Sequence, residues 1–304
     1  MEKLKVKLDF FIIGAAKSGT SWLSTNLSKH PALFIPEEKE LGFFCERNYL
    51  YPFQKNPLYL SNNKRFENHF SDATSEQLLG EGTTSYLWDP KASKNLFHHN
   101  KNAKLIAILR NPIERIISQY RYWLQLGIIP NRNILEIIKE RPEMLELGNY
   151  SIQLKRYFDF FPANQLLILL FDDLLINNNQ VLISAEEFLG VKQYIPDGTT
   201  QIVNSSGQAR FWFLNRSISK MKTWIRDKGI DYDQISYISK RIGLGSPLYR
   251  LMQLNKSNTK KQQVLDPAEK KFLYEYYFKD ILLLEKIINR DLSNWIPNTS
   301  NMVT

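Results

Sequence analysis

The sequence predicts an α/β fold: a central, mainly parallel sheet flanked by helices. Short apolar runs that do not alternate with polar residues recur along the chain, as in strands buried on both faces. Each run is followed by a stretch of helical period, and helix-start or glycine-turn signals sit at the junctions.

The elements follow in order. DFFIIG (9–14) is the first strand. A glycine turn leads from it into a helix that carries Trp22, Leu23 and Leu27 and stops before Pro31. LIAIL (105–109) is a second buried strand. After it, Asn111 suits a helix cap, Pro112 the first helical position and Glu114 the place of a capping-box acid. The apolar side of that helix includes Ile116, Ile117, Tyr120 and Leu124. QLLILLF (165–171) is a third strand, followed by a helix near 179–189 that ends at Gly190. The last helix opens at LDPAEKKF with Asp266, Pro267 and Glu269, and Phe272, Tyr276, Leu283 and Ile287 are expected to face the sheet. Residues 222–263 are basic and rich in Asn, Ser and Lys, and read as a variable cap. No repeat or linker splits the chain, so one domain over 1–304 is expected.

A chain of 304 residues that is 43% apolar can fill a large core. No window has the apolar length of a membrane span, and the N-terminus lacks a signal-length hydrophobic region. The single cysteine, Cys45, excludes an internal disulfide framework and fits a reducing, cytoplasmic setting. His30, His69, His98 and His99 do not have metal-site spacing, so no metal is expected. The net charge of +9 suits an anionic ligand or partner. The basic residues form no stripe and no nucleic-acid motif is present, so nucleic acid is not the expected partner.

The turn after the first strand reads IIGAAKSGTS (12–21). Gly14 and Gly19 keep the four-residue gap of a triphosphate-binding loop, but the lysine has moved forward to Lys17 and Thr20 follows the second glycine. Backbone amides at a helix N-terminus cradle anions, and glycine permits close approach. A ligand-free strand-to-helix turn is the plain alternative for two glycines alone. In LIAILRNPIERIISQYRYW (105–123), Arg110 follows the strand and Ser118 lies two turns into the helix. A guanidinium fork with a hydroxyl suits a terminal phosphate, although neither residue is distinctive by itself.

Together the two stretches resemble the sulfotransferases that use 3′-phosphoadenosine-5′-phosphosulfate (PAPS). The likeness rests on Gly14, Lys17, Gly19 and Thr20, then on Arg110, Asn111, Pro112, Arg115, Ser118 and Tyr120. It implies that the loop Gly14, Ala16, Lys17, Ser18, Gly19, Thr20 and Ser21 holds the 5′-phosphosulfate. It also implies that Arg110 and Ser118 hold the 3′-phosphate. GNYSIQLKRYFDFFPANQLLILLFDDLL (148–175) continues the resemblance. IVNSSGQARF (202–211) is similar to a loop that closes over the cofactor, which makes Asn204, Ser206, Gly207 and Arg210 candidates.

PEEKELGFFCERNY (36–49) resembles the segment that supplies a glutamate base in the Golgi-type and bacterial branch, which assigns that role to Glu40. An attacking hydroxyl must lose a proton, and burial against Phe43 and Phe44 would raise the carboxyl's proton affinity. Glu37 and Glu38 read as a solvated turn. One departure stands out: in GEGTTSYLW (80–88), Gly82 takes the place of a family lysine, which leaves a second catalytic cation unassigned. Thr83, Thr84 and Ser85 offer hydroxyls to the sulfuryl group or the acceptor, and His69 and His99 are secondary base candidates. Tyr49, Tyr51, Phe53, Tyr86, Trp88 and Trp123 are candidates for either an acceptor cleft or the core.

The expected reaction is metal-independent sulfuryl transfer from PAPS to an acceptor hydroxyl, less readily an amine, leaving 3′-phosphoadenosine-5′-phosphate (PAP). A glycan, a lipid or polyketide on a carrier protein, or a small alcohol would fit as acceptor. Two rivals are a nucleotide kinase-like enzyme and a PAPS/PAP-binding module without chemistry.

Overall fold

The computed structural model describes residues 4–47, 54–199, 208–209, 217, 256–257 and 265–296. They divide into two compact units. The first comprises Met1–Arg115, Arg141–Val203 and Lys271–Thr304; the second comprises Ile116–Glu140 and Asn204–Lys270.

The first unit is built on one five-stranded sheet of order β2-β3-β1-β4-β5, with every neighbouring pair parallel. The strands are β1 (Phe10–Gly14), β2 (Leu33–Phe34), β3 (Leu78–Gly82), β4 (Lys104–Leu109) and β5 (Leu166–Leu170). Phe10, Phe11, Ile12 and Ile13 are all fully buried, as the lack of alternation in FFIIG requires of a central strand. The chain runs first to one side of β1, through β2 and β3, and then to the other, through β4 and β5. The carboxyl end of β1 is thus the point where the connections diverge, the usual ligand position in an open α/β sheet.

The helices are α1 (Thr20–Leu27), α2 (Asn63–Asn68), α3 (Ala92–His99), α4 (Pro112–Gln125), α5 (Ile134–Glu140), α6 (Glu143–Glu146), α7 (Tyr150–Phe158), α8 (Phe171–Ile176), α9 (Asn178–Leu189) and α10 (Pro267–Ile288), of which α5 and most of α4 belong to the second unit. On one sheet face, Phe10, Ile12, Ile106 and Ile108 pack with Trp22, Leu23 and Leu27 of α1 and Leu182 and Leu189 of α9. Burying side chains of this size stabilises a fold by roughly 1.5–3 kcal/mol each. On the other face Phe11 meets Phe44, Tyr86 and His99 edge-on, at 5.7, 6.2 and 6.1 Å between ring centroids.

Most expected elements are present, with local corrections. Asn111 caps α4 by accepting the Ile113 N–H at 3.0 Å, but Glu114 turns away to bind Arg110 rather than closing a capping box. Gly190 ends α9 in the left-handed conformation, at φ 82°. The third strand stops at Leu170, and Phe171 begins α8. β2 has only two residues and β3, LLGEG, is interrupted by glycines, so neither has an apolar run to reveal it.

The last helix is rotated by one position from its expected register. Leu273, Tyr277, Ile281 and Leu284 are buried, whereas Phe272, Tyr276, Leu283 and Ile287 are 39%, 39%, 54% and 37% exposed. The sequence FLYEYYFKDILLLEKII is apolar around most of its circumference, so periodicity does not select a face. Tyr277 does: its hydroxyl donates to the Leu145 carbonyl at 2.8 Å, and its ring lies where a Cβ on Gly148 would approach to 2.8 Å.

Within the second unit, Asp266 and Glu269 form the expected reciprocal cap, each accepting the other's backbone N–H, at 2.8 and 2.9 Å. Ile116, Tyr120 and Trp123 are the buried side of α4 there, with Ile117 and Leu124 half-buried. Gln208–Ala209 pairs antiparallel with Lys256–Ser257. Apart from these last two residues, the expected cap at 222–263 lies outside the described residues, as do Asn204, Ser206, Gly207 and Arg210. No helix among the described residues is long and apolar enough to cross a membrane.

Candidate active site

The turn between β1 and α1 is shaped by backbone that side chains resist. Lys17 sits at φ 70° and Gly19 at φ 96°. A Cβ on Gly19 would come within 2.7 Å of Leu174, and one on Gly14 within 2.8 Å of Leu87, so both glycines are demanded by packing as well as by the turn. Helix α1 begins at Thr20 with no side-chain cap, which leaves its first-turn amides to a ligand or solvent. Ala16, Lys17 and Gly19 are half-buried, while Ser18 and Thr20 are buried.

Positive charge gathers at this turn. Arg110, immediately after β4, donates from Nη1 to the Lys17 carbonyl oxygen at 3.4 Å. Its Nε and Nη2 atoms hold the Glu114 carboxylate at 3.1 and 2.9 Å, and its guanidinium lies 4.5 Å from the Phe171 ring centroid. Burial and then the charges of Arg110 and Arg115 bring the Lys17 ammonium pKa down to about 8. Fully buried Arg115 is anchored by the Met144 carbonyl at 2.6 Å.

Two hydroxyls at the turn wait for partners. Ser18 and Tyr150 are both fully buried, and although the two hydroxyls lie near each other neither closes a hydrogen bond of ordinary geometry among the described residues. Tyr150 begins α7 and faces Ser18 and the Arg110 backbone. Unpartnered buried hydroxyls beside converging cations and uncapped amides are the donor set of a phosphate or sulfate site. The residues therefore fit the nucleotide that the sequence resemblance implies. Ser118 is half-buried in the part of α4 that belongs to the second unit.

A second cluster lies past the carboxyl end of β3. Glu40, at φ 62°, donates its backbone N–H to the Gly82 carbonyl at 2.9 Å. Its carboxylate accepts the Thr84 N–H at 2.8 Å and the Thr84 hydroxyl at 3.1 Å on each oxygen. Burial raises the Glu40 pKa; the neighbouring Lys39 charge and the Thr84 hydrogen bonds pull against that rise. Phe43 and Phe44 anchor the segment in an aromatic cluster with Phe66, at 4.5 and 5.6 Å between centroids.

Buried Glu81 is the carboxylate that the sequence did not single out. Burial raises its pKa to about 8, opposed by hydrogen bonds from Thr83 and Tyr86 and assisted by Glu40. Thr83 donates a short hydrogen bond to Glu81, and the Tyr86 hydroxyl does so at 3.2 Å. Thr83 and Thr84 thus hold the two glutamates rather than pointing hydroxyls at a ligand.

Other candidates resolve into structure. Tyr86 and Trp123 are completely buried and Trp88 nearly so, which makes them core residues and not cleft walls. Tyr49, Tyr51 and Phe53 lie outside the described residues. His99 accepts the Leu8 N–H at 2.9 Å, and burial holds its pKa near 4, a structural assignment. His69 is likewise lowered to about 4 by burial and by Arg65, and sits 3.9 Å from Glu38. Among the described residues no group of three His, Cys, Asp or Glu side chains is arranged to hold a metal.

With this geometry in place, comparison with known proteins assigns the class. Residues 7–209 match the sulfotransferase domain family, so the chain belongs to that family. The membrane-associated sulfotransferase kil1 of Dictyostelium discoideum is 36% identical over 152 residues, 47% of this chain and 30% of the relative. The bifunctional heparan sulfate N-deacetylase/N-sulfotransferase 2 of Homo sapiens is 25% identical over 251 residues, 76% of this chain and 27% of the relative. The chain thus spans less than a third of the length of these relatives. A sulfotransferase structure from Alicyclobacillus acidocaldarius shares the fold with a TM-score of 0.67 and 23% identity, over 95% of this chain and 99% of the other.

Proposed function

We propose that this sulfotransferase draws its sulfuryl group from PAPS and passes it to an acceptor hydroxyl, with Glu40 as general base. The observation that carries the reading is the cation-lined β1–α1 turn, clasped by Arg110 at the Lys17 carbonyl and containing the unpartnered Ser18 and Tyr150 hydroxyls. PAPS, when bound, supplies a sulfur whose bond to the 5′-phosphate oxygen breaks as its bond to the acceptor oxygen forms, the electron pair leaving with the phosphate.

This chain's residues do the rest by position and charge. The amides and hydroxyls of residues 14–21 hold the anion, and the Lys17 ammonium offsets the negative charge that grows on the departing oxygen. Arg110, with Ser118 by family resemblance, takes the distal phosphate. Glu40, raised by burial yet kept ionisable by Lys39 and Thr84, accepts the acceptor's proton. Asn204, Ser206, Gly207 and Arg210 are proposed to close over the nucleotide.

The kinase-like alternative needs a lysine after Gly19, where Thr20 stands. Screening labelled PAPS against glycan, lipid, carrier-bound and small alcohol acceptors tests the reading. Label transfer to one class that is abolished by Glu40→Gln is expected. Binding of PAPS with no transfer to any acceptor would leave a binding module instead.

A further inference from the structure

A second lysine lies beside the carboxyl end of β3. Gly82 ends β3 without a side chain, and the space above it is filled from another strand connection. An ideal Cβ on Gly82 would lie 3.5 Å from Lys39 Cε and 3.7 Å from Ser24 Oγ. The backbone hydrogen bond from Glu40 to Gly82 lays residues 39 and 40 across this position. From there the Lys39 ammonium donates to Ser21 Oγ at 3.2 Å, in the first turn of α1. The same side chain lies within electrostatic reach of both Glu40 and Glu81.

We propose that Lys39 is the second cation of the sulfuryl-transfer centre, reaching over Gly82 to the first turn of α1. The proposal rests on the sulfuryl-transfer reading above. The carboxyl groups of Glu40 and Glu81 lie on one side of this ammonium and the first turn of α1 on the other. A residue serving only as a salt-bridge partner would point away from the helix N-terminus, whose partial positive charge repels it. Lys39 instead faces that end, an arrangement that becomes favourable once an anion binds there. The ammonium neither gives nor takes a proton during transfer: the acceptor's proton goes to Glu40, and Lys39 supplies fixed positive charge to the transferring group. Burial lowers the Lys39 pKa, and the nearby Glu40 and then Glu81 act against that lowering.

The test uses Lys39→Ala and the double variant Lys39→Ala, Gly82→Lys, which returns an ammonium from the strand beneath. Three quantities are measured: PAP affinity by calorimetry, the rate of PAPS hydrolysis with water as acceptor, and the pH profile of that rate. Lys39→Ala is expected to slow turnover about a hundredfold, as loss of one charge-stabilising donor does. PAP lacks the sulfuryl group, so its affinity should change by no more than about twofold. Adding Gly82→Lys should recover at least a tenfold share of the lost rate. The acid limb of the profile should move to higher pH in Lys39→Ala, because the charge that lowers the Glu40 pKa is gone.

Wild-type turnover in Lys39→Ala, no recovery by Gly82→Lys, or an unmoved acid limb overturns the proposal. Should Lys39→Ala not fold, Lys39→Gln keeps the hydrogen bond to Ser21 without the charge, and the same expectations apply. Failure of the wild-type chain to bind PAP strikes the PAPS reading itself, and is thereby distinct from a lysine variant that binds PAP and still turns over.

Discussion

Arg110 and Lys17, ninety-three positions apart, meet through a hydrogen bond from the Arg110 guanidinium to the Lys17 backbone carbonyl at 3.4 Å. The contact joins the ends of two adjacent parallel strands, β1 and β4, whose loops both leave the same edge of the sheet. It also brings two like charges close, and burial with that repulsion is why the Lys17 ammonium loses its proton near pH 8.

An anion bound at the turn reverses the penalty on Lys17. Its pKa should climb back toward the ordinary value of 10.5, so binding PAP at about pH 8–9 takes up a proton. Calorimetric titrations in buffers of different ionisation enthalpy report that uptake directly. Lys17→Met should abolish it, and affinity in the wild type should weaken as pH rises past about 8.

Glu40→Gln should reduce turnover by a factor of about 10²–10⁴ while leaving PAP binding nearly intact. Thr84→Val is the subtler probe. The hydroxyl and amide of Thr84 lower the Glu40 pKa, so losing the hydroxyl should displace the acid limb of the rate profile to higher pH. A rate measured from pH 5 to 9 in both proteins makes the comparison.

Gly19→Ala places a Cβ 2.7 Å from Leu174 on a residue at φ 96°. Left-handed backbone and overpacking together should cost roughly 2–4 kcal/mol, read from urea unfolding. Gly82→Ala meets nothing closer than 3.5 Å and should change stability by less than about 1 kcal/mol.

Glu81 gives stability its own pH signature. Its folded pKa is raised to about 8 from 4.5, so its protonated form favours the native state. That contribution is complete below about pH 4.5 and declines as pH rises to about 8, beyond which it is lost. Urea midpoints measured across that window should fall with pH in the wild type, and Glu81→Gln should flatten the slope.

How much of this was legible in the sequence depends on whether the residues lie together along the chain. The β1 turn and Arg110 are contiguous with buried strands, so a run of apolar residues followed by Gly14–Ser21 points to the fold and to the turn proposed here as the anion site. Glu40, the proposed base, was singled out by the family resemblance of its segment, in which Phe43 and Phe44 follow it closely. Lys39 was not singled out by the sequence, because its approach to Gly82 and Ser21 exists only once β1 and β3 are neighbours. Glu81 was hidden between two glycines in a strand with no apolar run, and Tyr150 by its distance from Ser18. The register of α10 failed for the opposite reason: too many apolar residues, with Gly148 and Tyr277 deciding the face through a contact that no periodicity encodes.

The most direct measurement of the central claim is a calorimetric titration of the wild-type protein, Lys17→Ala and Arg110→Ala with PAP in the presence of EDTA, set beside a titration with ATP and magnesium. The account predicts saturable PAP binding by the wild type, weakened at least tenfold by Arg110→Ala, and no comparable binding of ATP with magnesium. Absence of PAP binding, or binding indifferent to Arg110, would contradict it.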